Sequence, residues 1–469
     1  MKSTTVAVVG GGITGLAAAH TLARQSVPFL LLERETRLGG TIRTERADGF
    51  LLDAGPDAFL AQKPEAMMLC RELGIEARLI PTNPTARAVS VLDRNRLHPL
   101  PEGMVLTVPT RILPLAMSSL FSPWGKLRMA CEPLIPPRRG GGDESIASFV
   151  TRRLGRQALE RLAEPLLAGI HSGDPERLSM NALFPRFVEL EEKYGSLIRG
   201  MRKMTPRRRS SGQSASVFLS LQGGLSELVE AVTAQLPEGS VRRGDGVHRV
   251  RWEGGLYVLR LASGEEVSAS ACILAVPLRV AERLVGELSS DLAALLGGIR
   301  TVSTAVVFLG FPREEVRHSL QGYGFVVPRT AKRRILAATF VSSKFPHRAP
   351  GSHVLLRVFL GGARDPEALA LSDAALIDVA RSELSGILGP LGTPSLTRVY
   401  RWEQSTPQVE VGHEDRLAAI ADRLGALPGL ELAGNGLRGV GIPDCISDGR
   451  RSAEAIREFL EAEPKVGNT

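Results

Sequence analysis

The chain has 469 residues, 43% of them hydrophobic, which is too apolar for disorder and long enough for two or three domains with sizeable cores. Its net charge of +8 and pI near 9.6 favour anionic partners: nucleic acid, acidic lipid head groups or carboxylated substrates. Cys70, Cys131, Cys272 and Cys445 stand far apart without C-x-x-C spacing, which argues against a disulfide framework or a zinc site and for a reducing compartment. No stretch supplies the ~18 uninterrupted apolar residues of a membrane span, and entry into the first strand by residue 6 leads us to expect no signal or transit peptide.

In chain order, "VAVVGGGITGLAAAHTLARQ" (Val6–Gln25) predicts an apolar strand, a glycine-rich turn and an alanine-rich helix opened by Ile13 and Thr14. Gly10, Gly12 and Gly15 have G-x-G-x-x-G spacing. The first suits a tight turn, the second lets the backbone approach a pyrophosphate, and the third lets helix and strand pack closely. The helix start offers N–H groups and a positive dipole end to phosphates. A second apolar strand, "VPFLLLERE", reaches Glu33 and Arg34, and a carboxylate at Glu33 suits an unphosphorylated ribose diol. NAD and FAD both fit these residues.

"RLGGTIRT" follows, where Gly39 and Gly40 can bring backbone N–H groups to a pyrophosphate, then "GFLLDAGPDAF" with Gly55, Pro56 and Asp57. From about 99 to 139 the chain is apolar, rich in Met, Leu and Pro, and carries scattered charges. Residues 143–200 read as helices, and 199–212 as a basic, mobile connection. After "FLSLQGGLSELVEAVTAQL", the segments "GVHRVRW", "LYVLRLA" and "VSASACILAVP" predict an antiparallel meander containing Val247 and ending at Ala275. More strands surround one helix at 371–388. The C-terminus runs from an apolar strand into glycines, Gly434 and Gly441 among them, and a final helix. A dinucleotide half-fold interrupted twice and completed by the C-terminus fits an FAD-binding protein better than a simple NAD dehydrogenase.

Together, "GGGITGLAAAHTL", "RLGG", "DAGPDAF", "LQGGLSEL" and "GNGLRGVGIPDCISDG" resemble the flavin amine oxidase superfamily. Within it, "EPLLAGIHSGDPERLSMNALFP", "SKFPHRAPGSHVLLRVFLGGAR" and "YRWEQSTPQVEVGH" are most similar to its protoporphyrinogen oxidase branch. The resemblance covers the chain from Val6 to about Glu461. It implies a mixed α/β (α+β) fold: a Rossmann-like FAD-binding domain from 1–60, 215–298 and 428–469, an antiparallel-sheet substrate domain from 61–98 and 299–427, and a helical, membrane-associating cap at 99–214. It implies non-covalent FAD, because "STPQVEVGH" has no cysteine for the superfamily's covalent link. It also implies that the Val247 backbone meets adenine. Pro443 and Asp444 look like a helix start, so Gly441 and Ile442 would present N–H groups at a positive helix end, favouring negative charge on a reduced flavin.

The reaction implied is six-electron oxidation of a porphyrinogen with molecular oxygen as acceptor. Leu336 and Phe359 match pocket-wall positions, Arg87 (or Arg96) the propionate-binding arginine, and Gly169 a glycine whose close approach to the tetrapyrrole is linked to activity. His171 reads as a solvated loop residue rather than a base, and the alternative for Gly169 is a loop glycine needed for positive φ. Protoporphyrinogen is the first expectation for the substrate and coproporphyrinogen the alternative. An amine oxidase is opposed by the aromatic content of 5%, and a flavin-free, GDP-dissociation-inhibitor-like binding protein by the intact glycine motifs. The basic run Arg207–Arg209 lacks interleaved aromatics, so an anionic membrane surface, and no nucleic acid, is the expected macromolecular partner. The expected location is cytoplasmic, peripheral to the inner membrane. Oligomeric state, a homodimer included, stays open.

Overall fold

Strands that run apolar without interruption need cover on both faces, and Val6–Val9 and Phe29–Leu32 are buried throughout. The computed structural model describes residues 2–86, 88–101, 104–105, 108–109, 112–138, 140–204 and 216–462. In it, Lys2–Val9 lies at the centre of a 7-stranded sheet. Phe29–Glu33 and then Val241–Arg243 pair parallel on one side, and Glu266–Leu274 pairs parallel on the other. The first half of Glu266–Leu274 continues antiparallel into Leu256–Leu261 and Val247–Glu253, while its last residues pair parallel with Leu430–Leu432. The parallel strands therefore end along one edge, at Val9, Glu33, Arg243, Leu274 and Leu432. In open α/β sheets that edge forms the ligand crevice.

One face of this sheet is covered by helices Ile13–Arg24, Ser226–Ala234 and Ile442–Ala462, the other by Leu278–Val285 and Ser290–Gly297. The first and last of these helices cross closely: a Cβ on Gly449 would overlap the Thr14 carbonyl.

A second 7-stranded sheet has the order Leu396–Pro407, Thr301–Pro312, His353–Gly361, Ile335–Phe340, Gly324–Val326, Val89–Asp93, Arg96–Pro99. It is antiparallel except where Gly324–Val326 meets Val89–Asp93. Phe50, Leu52 and Ala54, on and just after the hairpin Thr44–Ala47 and Phe50–Asp53, pack on its Val306, Phe308, Leu355 and Tyr400.

The helical part packs on the second sheet. Arg156–Ala158, a π-turn at Leu159–Ala163 and Glu164–His171 follow one another directly. Pro165 lacks the N–H for a normal i→i−4 bond, so a local widening before it relieves the helix. This corrects the alternative reading of Gly169 as a loop glycine. It lies within the Glu164–His171 helix, and positive φ is not what it supplies. The basic segment also begins as a helix, Leu197–Met204, rather than as a connection. Arg207–Arg209 and Arg87 lie outside the described residues.

Candidate cofactor and substrate site

The site begins at the crevice edge. Gly10 has φ +104°, and a Cβ there would collide with the Ala275 carbonyl at the end of the neighbouring strand. A Cβ on Gly15 would overlap the Gly10 carbonyl, so only glycine lets the helix lie this close to the turn. At Gly12 the result is opposite: nothing lies within 4 Å of a built Cβ. That open space stands over the start of helix Ile13–Arg24, whose first N–H groups lack intrahelical partners. Gly39 donates to the Gly11 carbonyl at 2.8 Å and Gly40 packs on the Gly12 Cα, so the second glycine turn walls the same space.

Glu33 closes one end. Its Oε2 accepts from the Gly11 N–H at 2.6 Å and its Oε1 from the Glu35 N–H at 2.8 Å. An ionised carboxylate has about four acceptor positions, so two remain for a diol. Arg34 turns to Glu35 and packs its stem at Gly246, next to Val247. Val247 itself lies at a register shift between Val247 and Arg249, beside the crevice end of Phe29–Glu33.

The C-terminal glycines close the other side. Gly434 follows Leu430–Leu432, its N–H donating to Asp448 Oδ2 at 2.8 Å, and Thr14 lies against it. Asn435 gives its Nδ2 to the Ser405 carbonyl, while its buried Oδ1 has no partner. The final helix starts at Ile442, one residue before the expected Pro443 start. The expectation that Gly441 presents a free N–H is also corrected: it donates to Asp444 Oδ2 at 3.1 Å, and Asp444 is paired with Lys63. The helix end remains positive, with Ile442 as its first N–H.

A groove with open space over Gly12, a carboxylate with spare acceptor positions at one end and an orphaned polar atom at the other suits a dinucleotide. Gly10, Gly12, Ile13, Thr14, Gly15, Gly39 and Gly40 would hold the pyrophosphate, Glu33 a ribose, and the Gly434–Ile442 segment the flavin end.

The Gly55–Ala58 loop lies against the second glycine turn, since a Cβ on Gly55 would overlap the carbonyl of Thr41, the residue after Gly40. The loop residues are half-buried, whereas Phe50–Ala54 and Phe59 are buried. Asp57 pairs with Lys344 at 2.8 Å; burial works against its charge, but Lys344 and then Arg357 hold its pKa below the usual range. Asp53 bonds Thr44, the Leu225 N–H and Arg348, yet burial dominates and raises its pKa. On the substrate side, Phe359 is half-buried, and its ring is stacked under the Arg357 guanidinium at 4.6 Å. Leu336, expected in the pocket wall, is 1% exposed at the register shift between Ile335 and Ala337; it backs the wall rather than lining it.

Helix Glu164–His171 is pinned to this sheet. The Glu164 carboxylate takes Arg364 and the Arg329 N–H, and a Cβ on Gly169 would come to 3.3 Å from Val326 and 3.6 Å from Ala337. Close approach is therefore what Gly169 provides. His171 ends the helix. It is half-buried rather than fully solvated as expected, and burial pushes its imidazole down to about 4. No carboxylate acts on it, and its carbonyl accepts from the buried Gln408. Arg96 is exposed on Arg96–Pro99, and His98 bonds Ser119. Among the described residues no His, Cys, Asp and Glu cluster suited to a metal is found.

Asp448, Asn435, Gly449, Arg357 and Trp402 were not foreseen. Only Arg357 left a signal, as the one charge inside "HVLLRVFLGG".

The model of the family described as flavin containing amine oxidoreductase matches residues 13–457. A coproporphyrinogen III oxidase from Bacillus subtilis is 36% identical over 97% of this chain and 98% of its own. The chloroplastic protoporphyrinogen oxidase of Nicotiana tabacum is 32% identical over 97% of this chain and 85% of its own. A crystal structure from Exiguobacterium sp. 255-15 superposes with a TM-score of 0.86 at 33% identity, covering 98% of this chain and 99% of that one. The groove built on Gly10–Gly15, Glu33 and Gly434–Ile442 is thus carried by a chain that matches this family along nearly its whole length: the protein belongs to the flavin-containing amine oxidoreductases and is a flavin-dependent oxidoreductase.

Proposed function

We propose that this protein binds FAD non-covalently and oxidises a porphyrinogen to the porphyrin, with coproporphyrinogen preferred over the protoporphyrinogen first expected. The observation that carries the reading is the convergence of three features. These are the half-buried Gly55–Ala58 loop at the groove, the half-buried Phe359 beside it, and helix Glu164–His171 drawn onto Val326 and Ala337 by Gly169. An apolar wall next to a flavin suits a flat, largely apolar ring system. The preference for four carboxylate arms follows the 36% identical Bacillus subtilis relative and the net charge of +8.

When bound, FAD supplies a two-electron oxidant, used three times for the six-electron change, with oxygen as final acceptor. The protein's own part is position and field. Gly169 sets the distance between helix and sheet, Phe359 gives the ring system a face, and the Ile442 helix end places positive potential at the groove. His171 stays neutral at physiological pH, and with a pKa of about 4 it is a weak base. Oxygen-dependent porphyrin fluorescence from each purified porphyrinogen tests the reading. Coproporphyrinogen should give the higher kcat/KM, and no fluorescence from either, with FAD bound, overturns the proposal.

Peripheral attachment to anionic membranes belongs to the same reading. Leu113, Met117, Trp124, Leu127 and Leu134 are exposed on three neighbouring short helices, Trp124 to 80%. Lys193, Arg199, Arg202 and Lys203 line one basic recess on adjacent helices. Apolar side chains beside cations suit an interfacial surface. No described helix is long and apolar enough to cross a membrane.

A further inference from the structure

Strand His353–Gly361 carries a single charge, Arg357, which is 5% exposed. Its guanidinium donates to the Gly55 carbonyl and, at 3.4 Å, to that of Ala54. Aromatic rings flank it, Phe359 at 4.6 Å and Phe308 at 5.5 Å. The nearby carboxylates are engaged elsewhere, Asp57 by Lys344 at 2.8 Å and Asp53 by Arg348 at 3.1 Å. Among the described residues Arg357 makes no ion pair, and its buried Nε has no partner. This small cluster therefore holds one more cation than carboxylates. Burial outweighs Asp57 and then Asp53, which offset this charge without pairing with it; burying an incompletely paired charge costs several kcal/mol, so its retention calls for a reason.

The Ala54 carbonyl accepts a second donor, Trp402 Nε1, at 3.0 Å. No peptide bond here is cis, so the N–H of Gly55 points away from the carbonyl that Arg357 and Trp402 hold. That N–H has no partner among the described residues, and Gly55 begins the half-buried stretch at the groove. A Cβ on Gly55 would overlap the Thr41 carbonyl, which presses the loop against the turn carrying Gly39 and Gly40. Donors on a carbonyl strengthen the N–H of the same peptide, because linked hydrogen bonds polarise one another.

We propose that Arg357 is the fixed cation of the flavin site. Its bond to the Gly55 carbonyl fixes the loop, its longer contact together with the Trp402 bond polarises the Ala54–Gly55 peptide into a pre-oriented N–H donor, and the two residues favour the reduced, negatively charged flavin over the oxidised one. The proposal rests on the FAD reading above. Arg357 is on this view a positioning residue acting through the Gly55 peptide, and the stack on Phe359 ties the pocket wall to the same guanidinium. Preoriented dipoles that need not reorganise when charge develops are an effective means of stabilising it.

The test compares full-length, FAD-loaded Arg357→Met, Arg357→Lys and Trp402→Phe with the parent. It reads FAD Kd, flavin midpoint potential against reference dyes, and melting temperature. Arg357→Met should lose about tenfold or more in preference for reduced over oxidised flavin, a fall of about 30 mV for a two-electron couple. Arg357→Lys should stay within about threefold of the parent, and Trp402→Phe should lose about threefold, near 15 mV. An unchanged potential in FAD-bearing Arg357→Met overturns the proposal; a raised KM for porphyrinogen alone would assign Arg357 to a substrate carboxylate. If Arg357→Met retains no FAD, an unchanged potential in Trp402→Phe overturns it instead. A parent protein that takes up no FAD refutes the underlying flavin reading, a different outcome from either.

Discussion

Replacing Glu33 with alanine should weaken FAD far more than it harms turnover at saturating FAD. The carboxylate ends the strand Phe29–Glu33, holds the Gly11 N–H at 2.6 Å and the Glu35 N–H at 2.8 Å, and keeps two acceptor positions for a ribose diol. A hydrogen bond to a charged group contributes about 1.5–3 kcal/mol. Losing the two diol bonds, offset in part by water entering the space, leaves a net loss of about 3 kcal/mol, or about 10²-fold in Kd. Loosening of the Gly11 turn adds to this in the same direction. Glu33→Gln keeps one acceptor oxygen and should fall between the two. Titration of apoprotein with FAD, followed by quenching of flavin fluorescence, measures the effect; turnover is then measured with FAD well above the new Kd. The reasoning fails if Glu33→Ala binds FAD within threefold of the parent, or if saturating FAD leaves most of the activity missing.

His171→Ala should slow anaerobic flavin reduction by much less than the ~10²-fold typical of a lost general base; a larger loss in stopped flow, with FAD and substrate binding intact, refutes it. The folded pKa of His171, about 4, lies below its unfolded value of 6.5, so the unfolded chain binds more protons between those limits. Stability should fall as pH drops from 6.5 toward 4, and His171→Ala should lose less than the parent across that window in urea titrations. Glu132 and Arg153 are both fully buried and paired, and Glu132 also accepts from Ser196 and the Leu197 and Ile198 N–H groups. Glu132→Ala should therefore cost about 3–5 kcal/mol, read as a lowered urea midpoint, and a shift under 1 kcal/mol would contradict the pairing. Trp124→Glu with Leu127→Glu should cut flotation with anionic vesicles about tenfold or more, given the cost of inserting charge at an interface. FAD content should be unchanged, and undiminished flotation would place the membrane face elsewhere.

Local chemistry along the chain determined the outline. The positive φ of Gly10 and the packing of Gly15 on the Gly10 carbonyl are backbone reasons that act within a few residues, and the alternating strands from Val247 to Leu274 announce a meander by their period. The mixed α/β fold and the flavin family were legible for that reason. Helix placement was less so: Gly169 and His171 read as loop residues, whereas the chain widens into a π-turn and continues as a helix to His171. That choice depended on the second sheet beneath, where Val326 and Ala337 accept Gly169 and where Arg329 and Arg364 hold Glu164. The same burial, invisible in "GIHSGD", is what makes His171 neutral. Most remote from the sequence is the clamp on the Gly55 loop. Arg357 and Trp402 reach Ala54 and Gly55 across some three hundred residues, and nothing local encodes that meeting. It exists because Phe50, Leu52 and Ala54 bury against Phe308, Leu355 and Tyr400, and non-directional apolar burial brings the polar groups at its edge within hydrogen-bonding reach.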